Sequence, residues 1–383
     1  MLIAFRAQTI AALLGLGLIL AALAGSAASG GAPAGPKGGT YVEAMIGAPR
    51  YVNPLLASSD TDLDLTHLVF SGLTRLDDRG MIIPDLAEGW QVSGDSRTYT
   101  FTLRPNLRWH DDQPLTADDV VFTIGLLRDK AFPGDPALAA PWSKVQVEAR
   151  GDRSVRFTLD AADASFMQFT TLGILPRHLW SEVKVDQLAS AELNRAPIGS
   201  GPWRYVRDTT QVGDQGSASG PAQARTGVLL EPNPQSWQQP RIARIWFRPY
   251  PNFGAALIGF KEGEVHGLGH IPTDRVAEVQ QVPEAQIHRQ TLARYSLLIL
   301  NTQSPLLDKP QTRQAIEFAI DRKSLISQAL QGQAALAYSP VLSQSWAYNP
   351  STPHREHDPA EARRLLDAAG WVMGPTGVRA RQG

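Results

Sequence analysis

The segment Thr98–Leu127 constrains the fold of this chain more than any other stretch, because it predicts a strand, a turn and a helix in fixed order. Its first part alternates apolar and polar residues with the period of a half-buried strand. The apolar positions of that strand are Tyr99, Phe101 and Leu103. After a polar turn, Thr116 followed by Asp119 predicts a capping box at the start of a helix. The acidic residues here are therefore interpreted as helix caps, not as a metal or acid–base site.

The amino-acid sequence of this segment also resembles that of a known family. The stretch TYTFTLRPNLRWHDDQPLTADDVVF is similar to the signature of the extracytoplasmic solute-binding proteins that serve peptide-type ABC importers, the dipeptide/oligopeptide-binding family. Other stretches that resemble the family in the same order are IIPDLAEGW, GILPRHLW, PIGSGPWRYV and QTRQAIEFAIDRK. The resemblance implies an α/β (mixed α+β) fold, that of a two-lobed periplasmic binding protein of the large peptide-binding type.

The resemblance also implies a division of the chain into domains. Relatives of this type continue well past the point equivalent to Gly383, so the last lobe is expected to be incomplete, in a fragment or in a C-terminally truncated gene product. The expected divisions are a signal peptide (1–28), a linker with the start of domain I (29–57), an inserted domain II (58–172), the continuation of domain I (173–294) and a partial domain III (295–383).

The N-terminal residues are typical of an export signal. Arg6 precedes the apolar run Ile10–Ala24, which small residues follow, and this order predicts a cleaved secretory signal peptide. The run is shorter than the ~20 residues that a membrane span needs, although an uncleaved anchor is the alternative. The chain contains no cysteine, hence neither a lipobox cysteine nor disulfides. These features favour a freely diffusing periplasmic protein over a lipid-anchored one.

Charge excludes some partners. The 36 Lys and Arg residues almost balance the 37 Asp and Glu residues, for a formal net charge of −1. Such a chain lacks the basic footprint of a nucleic-acid-binding protein and a polybasic patch for anionic lipid. We therefore expect partners to be recognised by shape and local chemistry, with no nucleic acid among them.

Two loops carry the first candidate ligand-binding residues. In the resembled family, the segment equivalent to the loop 46–54 passes beside the ligand, which implies contacts from Arg50, Tyr51 and Asn53; an ordinary surface loop is the alternative. The long loop 128–143 contains Phe132 and Trp142, and the matching loop of peptide-binding relatives places an aromatic side chain over the ligand. A tryptophan packed within its own domain is the alternative for Trp142.

Three further candidates lie later in the chain. The glycine-rich turn before Trp203 lets the backbone run close to whatever fills the cleft, which makes Ser200 and Trp203 candidate contacts. Asn301 follows the apolar run Tyr295–Leu300, which predicts a buried strand. By resemblance this strand crosses between lobes, so Asn301 is a hinge candidate; a local backbone hydrogen bond from its amide is the alternative.

Catalytic and metal motifs are missing from the sequence. There is no cysteine, no H-E-x-x-H and no G-x-S-x-G, so Ser200 is not a nucleophile elbow. His266 and His270 are four residues apart, but the glycines at 267 and 269 argue against the helix that would direct both to one metal. We therefore expect no catalytic residue, no metal site and no cofactor.

These observations favour a solute-capturing receptor over an enzyme. Two lobes would close over a ligand and then dock on the membrane subunits of an ABC permease. Peptides suit such a cleft because backbone groups can pair with a peptide main chain. The resemblance implies peptide as a class only, since relatives also carry nickel chelates, sugars, haem or opines; the protein is expected to act as a monomer. The alternatives are a secreted hydrolase and a lobe that has a structural or sensory role without binding ligand.

Overall fold

A computed structural model describes residues 38–78, 80–206, 227–289, 295–339, 341, 348–352 and 354–381. The predicted signal peptide, residues 1–28, lies outside these described residues. Within the described ranges, no helix combines the length and the hydropathy that crossing a membrane requires.

The first sheet is mixed and has five strands. Their bounds are β1 (Thr40–Ile46), β8 (Trp203–Val206), β9 (Val228–Pro232), β10 (Arg244–Tyr250) and β11 (Gly267–Leu268). The order across the sheet is β11-β1-β10-β9-β8, with β1 parallel to both of its neighbours and the remaining pairs antiparallel. Because β1 and β8 are far apart in sequence, the chain leaves this sheet early and returns to it after a long excursion.

The excursion forms a second, antiparallel sheet. Its order is β4-β5-β7-β6, and a separate hairpin of β2 and β3 precedes it. The bounds are β2 (Thr74–Leu76), β3 (Ile82–Pro84), β4 (Ala87–Val92), β5 (Thr98–Leu103), β6 (Gln146–Ala149) and β7 (Ser154–Thr158). The predicted strand is confirmed: Tyr99, Phe101 and Leu103 are buried.

Five helices of the described residues are nine or more residues long. They are α1 (Asp60–Val69), α2 (Ala117–Arg128), α3 (Phe253–Lys261), α4 (Pro310–Ala319) and α5 (Pro359–Ala368). The capping box predicted for α2 is confirmed, since the Thr116 backbone N–H donates to Asp119 Oδ2 at 2.9 Å and the Thr116 side chain caps the third residue of the helix. Shorter helical turns are Pro136–Ala139, Ala140–Trp142, Phe166–Phe169, Arg177–Trp180, Val185–Ser190, Glu192–Asn194, Thr273–Arg275, Val276–Val279, Arg322–Ser324 and Leu325–Ala329.

One continuous core joins the two sheets. It extends from Phe101, Phe157 and Trp109 beside the second sheet to Leu230 and Phe247 in the first sheet. Strand β1 also packs on α3 through a small separate cluster. The two sheets therefore hold a fixed arrangement, and the segments that cross between them lie against this core.

The residues after 294 form a much smaller structure. Helices α4 and α5 pack around Ala315, Ala362 and Leu365, and a hairpin of β12 (Trp371–Met373) and β13 (Arg379–Arg381) follows. The strand predicted over Tyr295–Leu300 was wrong: this segment is in no strand, and Ile299 is 81% exposed. A strand needs a neighbour for its backbone hydrogen bonds, and no described strand lies beside it.

Candidate functional site

Three described segments that follow β1 or precede β8 lie close together beside the end of α1, and we call them the junction. It consists of the loop 47–57, the segment 170–174 and the turn 197–202. The backbone of the turn packs directly on the end of α1: a Cβ at Gly199 would lie 1.9 Å from the Val69 carbonyl oxygen, and one at Gly201 would lie 2.6 Å from that of Leu68. Only glycine permits such close approach, so the turn is fixed against α1.

The loop 47–57 is held by a buried carboxylate. The backbone N–H groups of Arg50 and Tyr51 donate to Asp62 Oδ1 at 2.7 and 3.0 Å, and Asp62, in the first turn of α1, is almost fully buried. The Arg50 guanidinium lies 4.9 Å from the Tyr51 ring centroid. Arg50 is exposed and Tyr51 is half-buried. The loop therefore has a rigid backbone and presents a cation and an aromatic ring at the surface.

Asn53 anchors the same loop from inside. Its side chain is 0% exposed; Nδ2 donates to Asn194 Oδ1 at 2.9 Å, and Oδ1 accepts from the Leu55 N–H at 2.9 Å. Asn194 in turn donates to the Leu188 carbonyl at 2.8 Å. The Asn53 amide thus has partners within the protein, and in this conformation it does not project toward solvent.

The turn 197–202 is locked by a histidine that the sequence analysis did not select. His110 Nδ1 accepts from the Gly199 N–H at 3.2 Å, and His110 Nε2 donates to the Gly201 carbonyl at 3.1 Å. The His110 backbone N–H also donates to the Gly199 carbonyl at 2.9 Å. Burial lowers the pKa of His110 to about 4. The ring is therefore neutral at pH 7, as its acceptor role at Nδ1 requires.

The candidate residues Ser200, in that turn, and Trp203, directly after it, lie inside the protein. Ser200 is 7% exposed, and its Oγ has no hydrogen-bond partner among the described residues. Trp203, at the start of β8, belongs to the continuous core. A ligand contact from either side chain would need the turn to move, so these candidates stay predictions.

The aromatic candidates of the loop 128–143 lie in the domain of the second sheet. Trp142 is 2% exposed and packs among Phe157, Phe166 and Phe169, with ring centroids 6.0 to 6.3 Å away. Phe132 is half-buried, and its ring lies close to Gly134. The packing of Trp142 on its own domain matches the alternative stated from the sequence; a ligand contact from Phe132 stays a prediction.

Asn301, the hinge candidate, makes a local side-chain contact. Its side-chain oxygen accepts from the Gln303 N–H at 3.0 Å, which closes a local turn. This is the backbone bond that was its alternative. The structure thus gathers Arg50, Tyr51, Asn53, Ser200 and Trp203 at or beside the junction, and a role of Asn301 as a hinge stays a prediction.

The two histidines considered for a metal face different elements. His266 Nδ1 accepts from the Val42 N–H at 2.9 Å, whereas His270 Nε2 lies 2.8 Å from Asp64 Oδ2 on α1. Among the residues that the structure describes, no group of three or more His, Cys, Asp and Glu side chains is arranged to hold a metal ion.

Comparison with known proteins gives a family for most of the chain. The model described as "Bacterial extracellular solute-binding proteins, family 5 Middle" matches residues 81–382. The oligopeptide-binding protein AppA of Bacillus subtilis (strain 168) is 28% identical over 341 residues, which cover 88% of this chain and 60% of that protein. A protein of Pseudomonas aeruginosa (strain UCBPP-PA14) named "Probable di/tripeptide-binding protein 5" is 31% identical, over 75% of this chain and 56% of its own length.

A solved structure supports the fold. The crystal structure of NikZ from Campylobacter jejuni, in complex with Ni(L-His), superposes with a TM-score of 0.70 at 26% identity, covering 90% of this chain and 66% of that one. The expected fold class, the mixed α/β fold of the two-lobed periplasmic binding proteins, is confirmed. The present chain spans about 60% of the length of the curated relatives that it matches.

Proposed function

Because its residues 81–382 match their model, the chain belongs to the bacterial extracellular solute-binding proteins of family 5, and we propose that it is the substrate-binding component of an ABC importer with peptides as its ligand class. The names of the Bacillus subtilis and Pseudomonas aeruginosa relatives support the choice of peptide. The remaining parts of the proposal are a periplasmic location after signal-peptide cleavage, a monomeric state, delivery to the membrane subunits of a permease, and no catalysis.

The domain division belongs to the same proposal. The departure of the chain from the first sheet after β1 and its return at β8 support an insertion between them, for which we keep the boundaries 58–172. Residues 29–57 and 173–294 would then form domain I, and 295–383 part of domain III. Such an insertion needs two crossing segments, and the junction provides them.

The observation that carries a binding role at the junction is the rigidity of the loop 47–57. Asp62 binds the backbone N–H groups of Arg50 and Tyr51, and Asn194 binds the Asn53 amide, so the backbone that carries Arg50 and Tyr51 needs little further ordering on binding. An exposed guanidinium is a suitable donor for a carboxylate or carbonyl oxygen of a peptide. We therefore assign ligand contact to Arg50 and Tyr51, and a supporting role to Asn53.

Isothermal titration of the full chain with pools of dipeptides, tripeptides and longer peptides tests the proposal, with Ni(L-His) as the comparison ligand. We expect saturable heat from at least one peptide pool, and Arg50→Ala should weaken that binding about tenfold, because a hydrogen bond to a charged group is lost. Arg97→Ala, an exposed arginine in a hairpin turn, is the matched control. A folded chain that releases no heat with any peptide pool would overturn the function.

A further inference from the structure

A tryptophan in the loop between β9 and β10 lies exposed beside two arginines of the second-sheet domain. Trp237 is 40% exposed. The guanidinium carbon of Arg104, directly after β5, lies 4.2 Å from the centroid of the Trp237 ring, and that of Arg75, in β2, lies 5.7 Å from it. Two positive charges thus converge on one aromatic side chain at the surface, and we call these three residues the arginine–tryptophan patch.

The patch is held in place by a buried carboxylate. Asp85 is 4% exposed, and its Oδ1 accepts from the Trp237 indole N–H at 3.2 Å and from the Gln238 amide at 3.1 Å. The Arg104 Nε–H donates to the Asp85 carbonyl oxygen at 2.7 Å. Trp237 and Arg104 are therefore ordered before any partner arrives, which lowers the entropic cost of binding.

The positive charge of the patch is only partly balanced. In the part of the chain that the structure describes, neither Arg75 nor Arg104 forms an ion pair, and the buried Arg75 Nε has no hydrogen-bond partner. The Asp85 carboxylate faces neutral donors, and its burial raises its pKa. Asp77, two residues after Arg75, accepts from the Met81 N–H at 2.8 Å. The patch thus carries excess positive charge in a chain whose formal net charge is −1.

These features are typical of the centre of a protein–protein interface, where tryptophan and arginine are enriched. A carboxylate of the partner can accept from the two guanidinium groups while an apolar group covers the Trp237 ring. The exposed side chains of Leu76 and Met81, on the same hairpin as Arg75, add apolar area. A lipid surface fits less well, because a lipid-binding cluster has about four to eight basic residues.

We propose that the arginine–tryptophan patch is a docking surface for an acidic segment of the membrane subunits of the permease. The inference rests on the proposed function and deepens it, because it gives the chemistry of the partner and the place on this chain that the partner contacts. Peptide contact at Arg50 and Tyr51 and docking at the patch depend on different residues. The two activities can therefore be disrupted separately.

The test measures binding of the purified full chain to the membrane subunits of its permease, reconstituted in neutral phosphatidylcholine vesicles. We expect Arg75→Glu to weaken this binding about tenfold or more, because a charge-assisted hydrogen bond is lost and like charges then face each other. Trp237→Ala should weaken it about thirtyfold, the effect of an interface hot spot. Added salt should weaken docking of the wild type more than docking of Arg75→Glu.

The controls separate docking from folding and from peptide binding. Arg97→Glu is a matched charge reversal at an exposed arginine and should dock like the wild type. Titration of Arg75→Glu with the peptide pools should give the wild-type Kd, since Arg75 has no part in the proposed peptide contacts. Trp237→Ala removes a partner of Asp85; if this variant does not fold, Arg75→Glu and the salt dependence decide the test.

The outcomes distinguish this inference from the proposed function. A wild-type chain that binds peptide but does not dock, or an Arg75→Glu variant that docks as tightly as the wild type, would overturn the docking surface and leave the receptor function intact. Equal binding of the wild type to anionic phosphatidylglycerol vesicles without the permease would also overturn it, in favour of a lipid contact. A folded wild-type chain that binds no peptide pool and does not dock would overturn both proposals.

Discussion

Two parts of this molecule are rich in apolar residues but differ in how many of those residues are buried. The N-terminal part, residues 38–289, buries them in a core that runs through two sheets. In the C-terminal part, residues 295–381, the buried apolar residues among those described are only Ala315, Ala362, Leu365 and Ala369. The C-terminal part is much shorter, yet among the described residues it holds most of the large apolar side chains that are exposed. Apolar composition therefore does not make a core unless partner surfaces are present to cover it.

The contrast has an energetic consequence. Burial of apolar area is the main favourable term in folding, and the small cluster between α4 and α5 offers little of it. Local opening is easiest where buried apolar contacts are few. We therefore expect the N-terminal part to unfold as one cooperative unit and the C-terminal part to open at lower free energy.

The largest effect should follow from a cavity in the N-terminal core. Phe157 is fully buried and meets Phe101, Trp142 and Phe166. Phe157→Ala should cost about 3–5 kcal/mol of the free energy of unfolding, as measured by urea denaturation with tryptophan fluorescence.

The same variant also tests the separation of the two parts. Amide exchange in α4 should stay as in the wild type, because the α4–α5 cluster is separate from the core around Phe157. A matched loss of protection in α4 would show that the two parts unfold together, and it would contradict the comparison.

A pH effect of intermediate size should be confined to the N-terminal part. The pKa of His110 is about 4 in the folded protein against an ordinary value of 6.5, so between these values the unfolded chain binds more protons. The stability that neutral His110 contributes is thus complete above pH 6.5 and is lost as the pH falls toward 4, by ~3 kcal/mol in all.

The measurement is the difference between the urea stability of the wild type and that of His110→Gln, taken from pH 7 to pH 4. The difference is needed because burial raises the pKa of the Asp85 and Asp119 carboxyls, which contribute with the opposite sign and cancel between the two proteins. A difference that does not change with pH would show that the junction is not held by a neutral His110.

The smallest effect on stability should come from the exposed apolar run of the C-terminal part. Ile299→Ser removes an exposed side chain that loses little buried contact area, so the free energy of unfolding should change by less than about 0.5 kcal/mol. The same change should lower the binding of an apolar fluorescent dye such as ANS, because the run Tyr295–Leu300 is exposed.

Val92→Ser is the control for this variant in the N-terminal part, where a single exposed apolar residue is ordinary. Dye binding that falls equally in both variants would mean that the C-terminal surface is no more apolar than the rest of the chain.

Sequence patterns that span only a few residues predicted much of the local structure. The alternation at Tyr99, Phe101 and Leu103 and the pair Thr116 and Asp119 predicted a strand and a capped helix, and both are present. The start of α5 has a cap of the same local kind, since Asp358 accepts from the Ala360 and Glu361 N–H groups. The same motifs carried the resemblance to the family and hence the fold class.

The environment of single side chains was decided by the tertiary structure alone. The sequence around Asn53 predicts a loop residue near a ligand. In the folded chain its amide is instead bound by Asn194, which is distant in sequence. The sequence places His110 in a polar turn and does not indicate a structural role. In the folded chain its ring is largely buried and binds the backbone of Gly199 and Gly201. The run Tyr295–Leu300 has the composition of a buried strand but no described neighbour to pair with.

The physical reason is the range over which each property is determined. Helix caps and strand periodicity depend on backbone groups within about four residues, so the sequence alone determined them here. Burial, hydrogen-bond partners and the pKa of a buried group depend on chain segments that meet only when the whole chain folds. For this protein, the sequence determined the elements and the family, and only the tertiary structure decided which junction residues are exposed to solvent and which hold the junction together.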